Sequence, residues 1–193
     1  MLHRFIEILI SGILLMPVFM VLNKVRFHNA KKAVLYFVFA TYLSAVYLFV
    51  GMPTLQFMRF DVSLTLVPFL PMVDDIKNTI LNIFLFVPLG VILPFLWKKY
   101  NSAKAVLLFG FFLSLSIELL QILTYRATDI NDILANTLGS VLGYFLFSII
   151  AHFIPSLIKF TGKKNDVSII ITVVSIVMFF IQPYLAALYY KVT

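Results

Sequence analysis

Six ionisable or amide residues stand inside long apolar stretches of this sequence, where burying them in lipid is costly. Each lies within about six residues, or roughly 9 Å of helix, of the same end of its stretch relative to the membrane. The six are Glu7, Asn82, Glu118, Gln121, Asn136 and Gln182. Their shared position predicts one polar pocket at one face of the membrane.

Spacing places many of the candidate residues on two helical faces. One face follows steps of four, three and four, and the other follows steps of three, four, three and four. The first comprises Ser114, Glu118, Gln121 and Tyr125, and the second comprises Asp129, Asp132, Asn136, Gly139 and Gly143. A short connection makes the two helices antiparallel neighbours, so the polar faces can meet with Arg126 between them.

Glu118 is the residue with the clearest chemistry. A carboxylate in an apolar stretch must be protonated, paired with a cation such as Arg126, or exposed to a water-filled cavity. In an enzyme, Glu118 would be the general base or nucleophile, Asp132 its acidic partner and Arg126 an anchor for phosphate. In a binding protein, hydrogen bonds to the substrate would come from Asn82, Gln121, Asp129 and Asn136.

Structural roles compete with these chemical roles. Asp129 and Asp132 fit a helix N-cap followed by an acidic first-turn residue. Asn82 and Asn136 can hydrogen-bond between helices, and the Gly139-x-x-x-Gly143 spacing favours close helix packing. Glu118 with Arg126 can be a purely structural pair. We expect no metal site and no cofactor, because the three histidines lie on different segments: His3, His28 and His152.

The composition shows what must position these residues. The chain is 62% hydrophobic and 12% charged, against about 45–50% and about 25% in soluble domains. Lipid can hide that much apolar surface, and backbone groups in lipid must pair within their own segment. We therefore predict an all-α, polytopic transmembrane helical bundle of about six spans: Leu2–Leu22, Ala33–Gly51, Thr79–Trp97, Ala105–Thr124, Ile133–Ile154 and Val167–Leu188.

Basic residues indicate the orientation of the spans. Three alternate loops, 23–32, 98–104 and 155–166, hold ten of the fifteen Lys and Arg residues and one acid, Asp166. Because basic loops stay in the cytoplasm, both termini and the polar pocket are predicted to face outward. The net charge of +7 follows from this loop pattern, so we expect no nucleic acid among the partners.

The outer loop Met52–Asn78 is long, proline-broken and apolar, which is typical of an interfacial or re-entrant segment. The chain is expected to divide into three consecutive parts. We predict an N-terminal two-helix segment over 1–51, a core over 52–154 with the outer loop and helices three to five, and a C-terminal segment over 155–193 that holds an inner loop and the sixth helix.

The motifs of the core resemble those of the VanZ-like family. Val67-Pro68-Phe69 is similar to its short pre-helix motif, although Thr65 stands where an asparagine is expected. The likeness extends over about Phe60 to Phe147. Its longer motifs are Asn82-Ile-Phe-Leu-Phe86-Val-Pro88-Leu89-Gly90, Glu118-Leu-Leu-Gln121, and Arg126-x-x-Asp129-x-x-Asp132-x-x-x-Asn136-x-x-Gly139-x-x-x-Gly143.

The resemblance implies a multi-pass protein of the bacterial cytoplasmic membrane, linked to antibiotic resistance through reduced sensitivity to the lipid-tailed glycopeptide teicoplanin. One hypothesis is a binding protein whose partner is a membrane lipid, a lipid-linked cell-wall precursor or a lipoglycopeptide of the cell envelope. A second is an outer-leaflet hydrolase or transferase on a lipid-linked substrate. A transporter is disfavoured by the lack of midplane charges and repeated halves. Whether the protein is catalytic stays open.

Overall fold

Six helices of the computed structural model are long and apolar enough to cross a membrane. The structure describes residues 2–56, 58, 64–65, 69, 72, 75–124, 128–155, 162–163 and 165–192. Within these residues the spans are His3–Phe27, Ala30–Val50, Ile76–Leu96, Ala103–Gln121, Ile130–Phe153 and Asp166–Lys191. The prediction of an all-α, six-span polytopic protein is confirmed.

The first two helices are α1 (Leu2–Leu22), which continues into a wider π-helical turn, and α2 (Ala30–Val50). The middle helices are α3 (Ile76–Leu96), α4 (Ala103–Gln121) and α5 (Ile130–Phe153). The last span joins α6 (Asp166–Ile176) and α7 (Gln182–Val192) through a second π-helical turn, Val177–Ile181. Two residues of extended chain, β1 (Leu64–Thr65), pair in parallel with β2 (Thr128–Asp129).

The helices form two compact units. The terminal unit combines residues 1–59 with residues 165–193, and the central unit comprises residues 60–164. The division of the chain into three consecutive domains stays a prediction. Nearly half of the outer loop Met52–Asn78 lies outside the described residues, and its interfacial or re-entrant character stays a prediction too.

The terminal unit contains a buried network of charges around Asp166, which is fully buried. Its carboxylate lies 2.7 Å from Lys32 Nζ and 3.5 Å from Arg26 Nε, and it accepts a hydrogen bond of 2.7 Å from Tyr36 Oη. The Lys32 ammonium also lies over the rings of Phe27 and Tyr36, 5.6 and 5.2 Å from their centroids. These contacts tie the start of the last span to the end of α1 and the start of α2.

A proline shapes the last span at the junction of its two helices. Pro183 has no N–H to donate to the carbonyl of Phe179, four residues earlier. The backbone N–H of Leu55 donates to that carbonyl instead, at 3.1 Å. Tyr47 Oη donates to the carbonyl of Pro53 and holds the same segment. The chain that follows α2 therefore satisfies a backbone acceptor that the proline leaves open.

Glycines bring α3 and α5 of the central unit into backbone contact. A Cβ on Gly139 would overlap the carbonyl oxygen of Ile83, and a Cβ on Gly143 would overlap that of Val87. Gly90 has the same relation to the backbone of α5. The close-packing face predicted from the Gly139-x-x-x-Gly143 spacing is therefore present, and it brings the polar residues of α3 and α5 close together.

Side-chain caps define where the helices of the central unit start. Asp75 accepts from the N–H of Asn78 at the start of α3, and Ser102 accepts from that of Ala105 at the start of α4. A 3₁₀ turn, Lys98–Tyr100, joins these two helices. The starts of α3 and α5 and the end of α4 therefore lie at one end of the unit, and the basic turn lies at the other.

Candidate functional site

Eight polar side chains of the central unit gather at the end opposite the turn Lys98–Tyr100. We call this set the polar cluster. It draws on the first turns of α3, the last turns of α4 and the first turns of α5. Its members are Asn82, Ser114, Glu118, Gln121, Asp129, Asn131, Asp132 and Asn136.

Asn82 and Asp132 form the accessible layer of the cluster. Asn82 Nδ2 donates to Asp132 Oδ1 at 2.6 Å, and both side chains are half-buried. A hydrogen bond to a carboxylate is stronger than one between neutral groups, so it fixes the pair across α3 and α5. A ligand that reaches this end of the unit meets one amide and one carboxylate side by side.

Glu118 lies beneath the surface and is only 1% exposed. Its Oε2 accepts a hydrogen bond of 2.8 Å from the backbone N–H of Asp129. Asp129 in turn caps α5, because its side chain accepts from the N–H of Asn131 at 2.8 Å. Glu118 therefore holds the first residue of the α5 cap in place.

Arg126 and Tyr125 lie outside the residues that the structure describes. The predicted pairing of Glu118 with Arg126, and the role of Arg126 as a phosphate anchor, stay predictions.

Asn136 and Ser114 make the deepest contact between α4 and α5. Asn136 Nδ2 donates to Ser114 Oγ at 2.8 Å, and the two residues are 2% and 0% exposed. Asn136 Oδ1 is buried and has no hydrogen-bond partner among the described residues. Gln121, one turn nearer the end of α4, is also buried. The polar face predicted on α4 therefore points into the unit, where it meets α5.

Asn131 is a member of the cluster that the spacing of the sequence did not indicate. It is 4% exposed, and both its N–H and its Nδ2 donate to Asp129 Oδ1, at 2.8 and 2.7 Å. Its Oδ1 accepts from the backbone N–H of Phe69 at 2.8 Å. Asn131 falls off the helical steps that join Asp129, Asp132 and Asn136, so periodicity could not find it. The signal available was its position inside a helix cap.

Two of the six intramembrane polar residues belong to the terminal unit. Glu7 pairs with Arg4 at 3.2 Å on a partly exposed surface of α1. Gln182 is buried at the start of α7. Their place in a common pocket with the other four stays a prediction.

Together, the spans and the polar cluster define a polytopic α-helical membrane protein with a polar site at one end of three helices. A family model described as VanZ/LLP1 matches residues 33–154, and the chain belongs to this family. It is 34% identical over 88 residues to Protein VanZ of Enterococcus faecium, a match that covers 45% of this chain and 53% of that protein. The chain therefore matches about half the length of this relative. No solved structure matches it. The resemblance to VanZ-like proteins is confirmed.

Proposed function

We propose that this VanZ-like membrane protein uses the polar cluster as an outward-facing pocket that engages a component of the cell envelope. The ligand is a membrane lipid, a lipid-linked cell-wall precursor or a lipoglycopeptide. By engaging it, the protein lowers the sensitivity of a bacterium to teicoplanin-type antibiotics. The observation that carries the proposal is the half-buried Asn82–Asp132 pair, joined at 2.6 Å at one end of the central unit.

The arrangement of the pair supports binding. Asn82 carries an amide and Asp132 a carboxylate, and the oxygens of both groups accept hydrogen bonds of the kind that hydroxyl or amide groups donate. Glu118 and Asn136 are too deeply buried to be the first contact of a ligand. In this proposal they hold α4 and α5 in the geometry that presents Asp132 and Asp129.

The outward orientation rests on charge. Lys98, Lys99 and Lys104 stand at the end of the central unit away from the cluster. Because such basic turns stay in the cytoplasm, the cluster faces the outside. That side is where cell-wall precursors and glycopeptides meet the membrane. The name of the relative Protein VanZ is the basis for proposing a glycopeptide phenotype.

A second candidate is an outer-leaflet enzyme, a hydrolase or transferase on a lipid-linked substrate. It is favoured by two carboxylates of the same cluster, one accessible on Asp132 and one buried on Glu118. Catalysis would need Glu118 as an ionisable group, Asp132 as its partner and Arg126 as the anchor for phosphate. A binding protein needs only hydrogen-bond acceptors at positions 118 and 132.

The test measures teicoplanin susceptibility in a glycopeptide-susceptible bacterial host that expresses each variant, with quantification of the protein in the membrane. Asn82→Ala and Asp132→Asn should restore susceptibility at unchanged abundance. The double change Lys98→Arg and Lys99→Arg, at the far end of the unit, is the control: it keeps the basic charges that set the orientation and should leave resistance intact. Full resistance in both cluster variants would refute the site.

Glu118→Gln separates the two candidates. The amide oxygen of glutamine can still accept from the N–H of Asp129, so the cap of α5 survives. Binding should then persist and resistance should stay within about twofold of the parent protein. An enzyme that relies on the carboxylate should lose its effect entirely, since removal of a general base typically costs about 10²–10⁴ in rate.

A further inference from the structure

Phe69 has an unusual backbone beside the polar cluster. Its φ angle is 69°, which lies in the left-handed region that residues with a side chain rarely adopt. The residue is nevertheless 67% exposed, so burial of its ring does not compensate for the strain. Strain of this kind persists only where the surrounding structure imposes it, and it concentrates at ligand sites.

Asn131 imposes it. Its Oδ1 accepts from the N–H of Phe69, while its two donors are fixed on Asp129 Oδ1. The parallel pairing of Leu64 with Thr128 brings the chain before Phe69 to the same end of α5. The backbone of Phe69 is therefore anchored to the first turn of α5. Asp132, the acceptor of the accessible layer, stands one residue further along that turn.

The neighbourhood of Phe69 joins two chemistries. The half-buried Asn82–Asp132 pair lies at the end of the central unit where Asn131 holds Phe69, and the helices that carry the pair are apolar enough to span the bilayer. An exposed phenylalanine at the end of a span favours the boundary between head groups and acyl chains, as the Phe and Trp side chains of interfacial helices do.

We propose that Phe69 is a specificity-determining residue of the site and that Asn131 is its positioning residue. The site then takes amphiphiles: a polar group on Asn82 and Asp132, continued directly by an aliphatic chain that packs on the ring of Phe69. Such ligands reach the site from the bilayer. This inference rests on the proposed function of the polar cluster, and it assigns the contact with the lipid tail of the ligand to the ring of Phe69.

The position of the ring can be measured without knowing the ligand. The protein has one tryptophan, Trp97, which is 1% exposed and gives a constant background. In nanodiscs, the fluorescence of Phe69→Trp should be quenched several-fold more by lipids brominated on the upper acyl chain than by aqueous acrylamide. In the double variant Phe69→Trp and Asn131→Ala, acrylamide should quench the fluorescence more strongly than the brominated lipids do.

Phe84→Trp is the matched control, because Phe84 is likewise exposed, by 69%, and lies on α3 rather than on the segment that Asn131 holds. Its quenching should not change when Asn131 is replaced. Equal acrylamide quenching of Phe69→Trp with and without Asn131 would overturn the positioning role. A change of the same size at both positions would also overturn it, because it would mean a general loss of structure.

Photo-crosslinking tests whether the ring and the pair hold the same molecule. Benzoylphenylalanine at position 69, irradiated in intact membranes, should capture one predominant lipid-tailed species, and Asp132→Asn should lower its yield at least fivefold. The same probe at position 84 should capture bulk phospholipid regardless of Asp132. Identical adducts at both positions, or a yield at position 69 that ignores Asp132, would refute the shared ligand. A specific adduct without any teicoplanin phenotype would refute the proposed resistance function and leave this inference standing.

Discussion

Glu118 shows how a residue chosen for chemistry can act through the backbone. The sequence singled it out as a carboxylate in an apolar stretch, and the structure buries it with Oε2 on the N–H of Asp129. That N–H belongs to the residue that caps α5, where the chain turns into the helix. The carboxylate therefore positions Asp132, three residues further on, which is the more accessible acid.

We expect Glu118→Leu to lower the free energy of unfolding by about 1–3 kcal/mol, because the buried N–H of Asp129 loses its acceptor. Glu118→Gln should stay close to the parent protein. Thermal unfolding in nanodiscs measures both. The matched control is Glu7→Gln, which removes the partly exposed pair with Arg4 and should cost less than about 1 kcal/mol. Equal destabilisation by the Leu and Gln variants at position 118 would contradict the role of the oxygen as an acceptor.

The Asn82–Asp132 hydrogen bond gives a second prediction for single residues. Asn82→Ala, Asp132→Ala and the double variant form a cycle that isolates the coupling between the two side chains. We expect a coupling free energy of about 1.5–3 kcal/mol, because one partner carries a charge. Chemical unfolding in detergent supplies the four stabilities. Strict additivity would show that the 2.6 Å contact does not hold α3 to α5.

Among the elements, the crossing of α3 and α5 is set by glycines. Gly139→Ala and Gly143→Ala should each lower stability by about 1–3 kcal/mol, because the added methyl group overpacks against backbone that cannot move aside. Gly12→Ala on α1 is the control, since a Cβ there meets nothing within 4 Å. Helix propensity alone makes that change neutral or stabilising, by up to about 1 kcal/mol.

A loss of stability at Gly12 equal to that at Gly139 would refute the packing explanation. The packing of α3 against α5 also matters for function, because Asn82 lies on α3 and Asp132 lies on α5. Variants that separate α3 from α5 should lose ligand binding as well as stability.

The charged network around Asp166 leads to a prediction for the stability of the terminal unit. Asp166→Leu alone leaves the buried Lys32 ammonium without its carboxylate and should cost about 3–5 kcal/mol. Lys32→Met leaves Asp166 with Arg26 and Tyr36 and should cost less. The double variant removes both charges of the 2.7 Å pair and should recover most of that loss. Unfolding in nanodiscs distinguishes the cases. A double variant that loses as much as the sum of the singles would contradict the pairing.

Sequence reasoning found the elements because each carries a local signal. Long apolar stretches give the spans, and helical spacing gives the buried face of Ser114, Glu118 and Gln121. It missed contacts that depend on distant parts of the chain. Lys32 and Asp166 both looked like loop charges that set topology, and nothing local shows that they meet. Asn131 was missed because it does not share the helical spacing of Asp129, Asp132 and Asn136, and its contact with Phe69, 62 residues away, leaves no local signal.

For the whole molecule, topology is the property most open to test. Fusions of a reporter at Lys31 and at Thr193 should report opposite sides of the membrane, with Lys31 in the cytoplasm. The physical reason is the concentration of ten of fifteen basic residues in three alternate loops. A cytoplasmic result at Thr193 would require an odd number of spans to be removed and would turn the polar cluster inward or break the topology.

The terminal unit combines two distant stretches of the chain, and this affects the order in which the protein folds during synthesis. This unit needs both 1–59 and 165–193, whereas the central unit is one continuous stretch, 60–164. During synthesis the central unit can therefore be completed while the ribosome is still translating the last span. Until then, the first two helices lie in the membrane without two of their contacts. Lys32 has not yet met Asp166, and the N–H of Leu55 has not yet met the carbonyl of Phe179. The terminal unit is therefore completed after the central unit. A nascent chain released before residue 166 would retain its polar cluster but leave α1 and α2 without the last span.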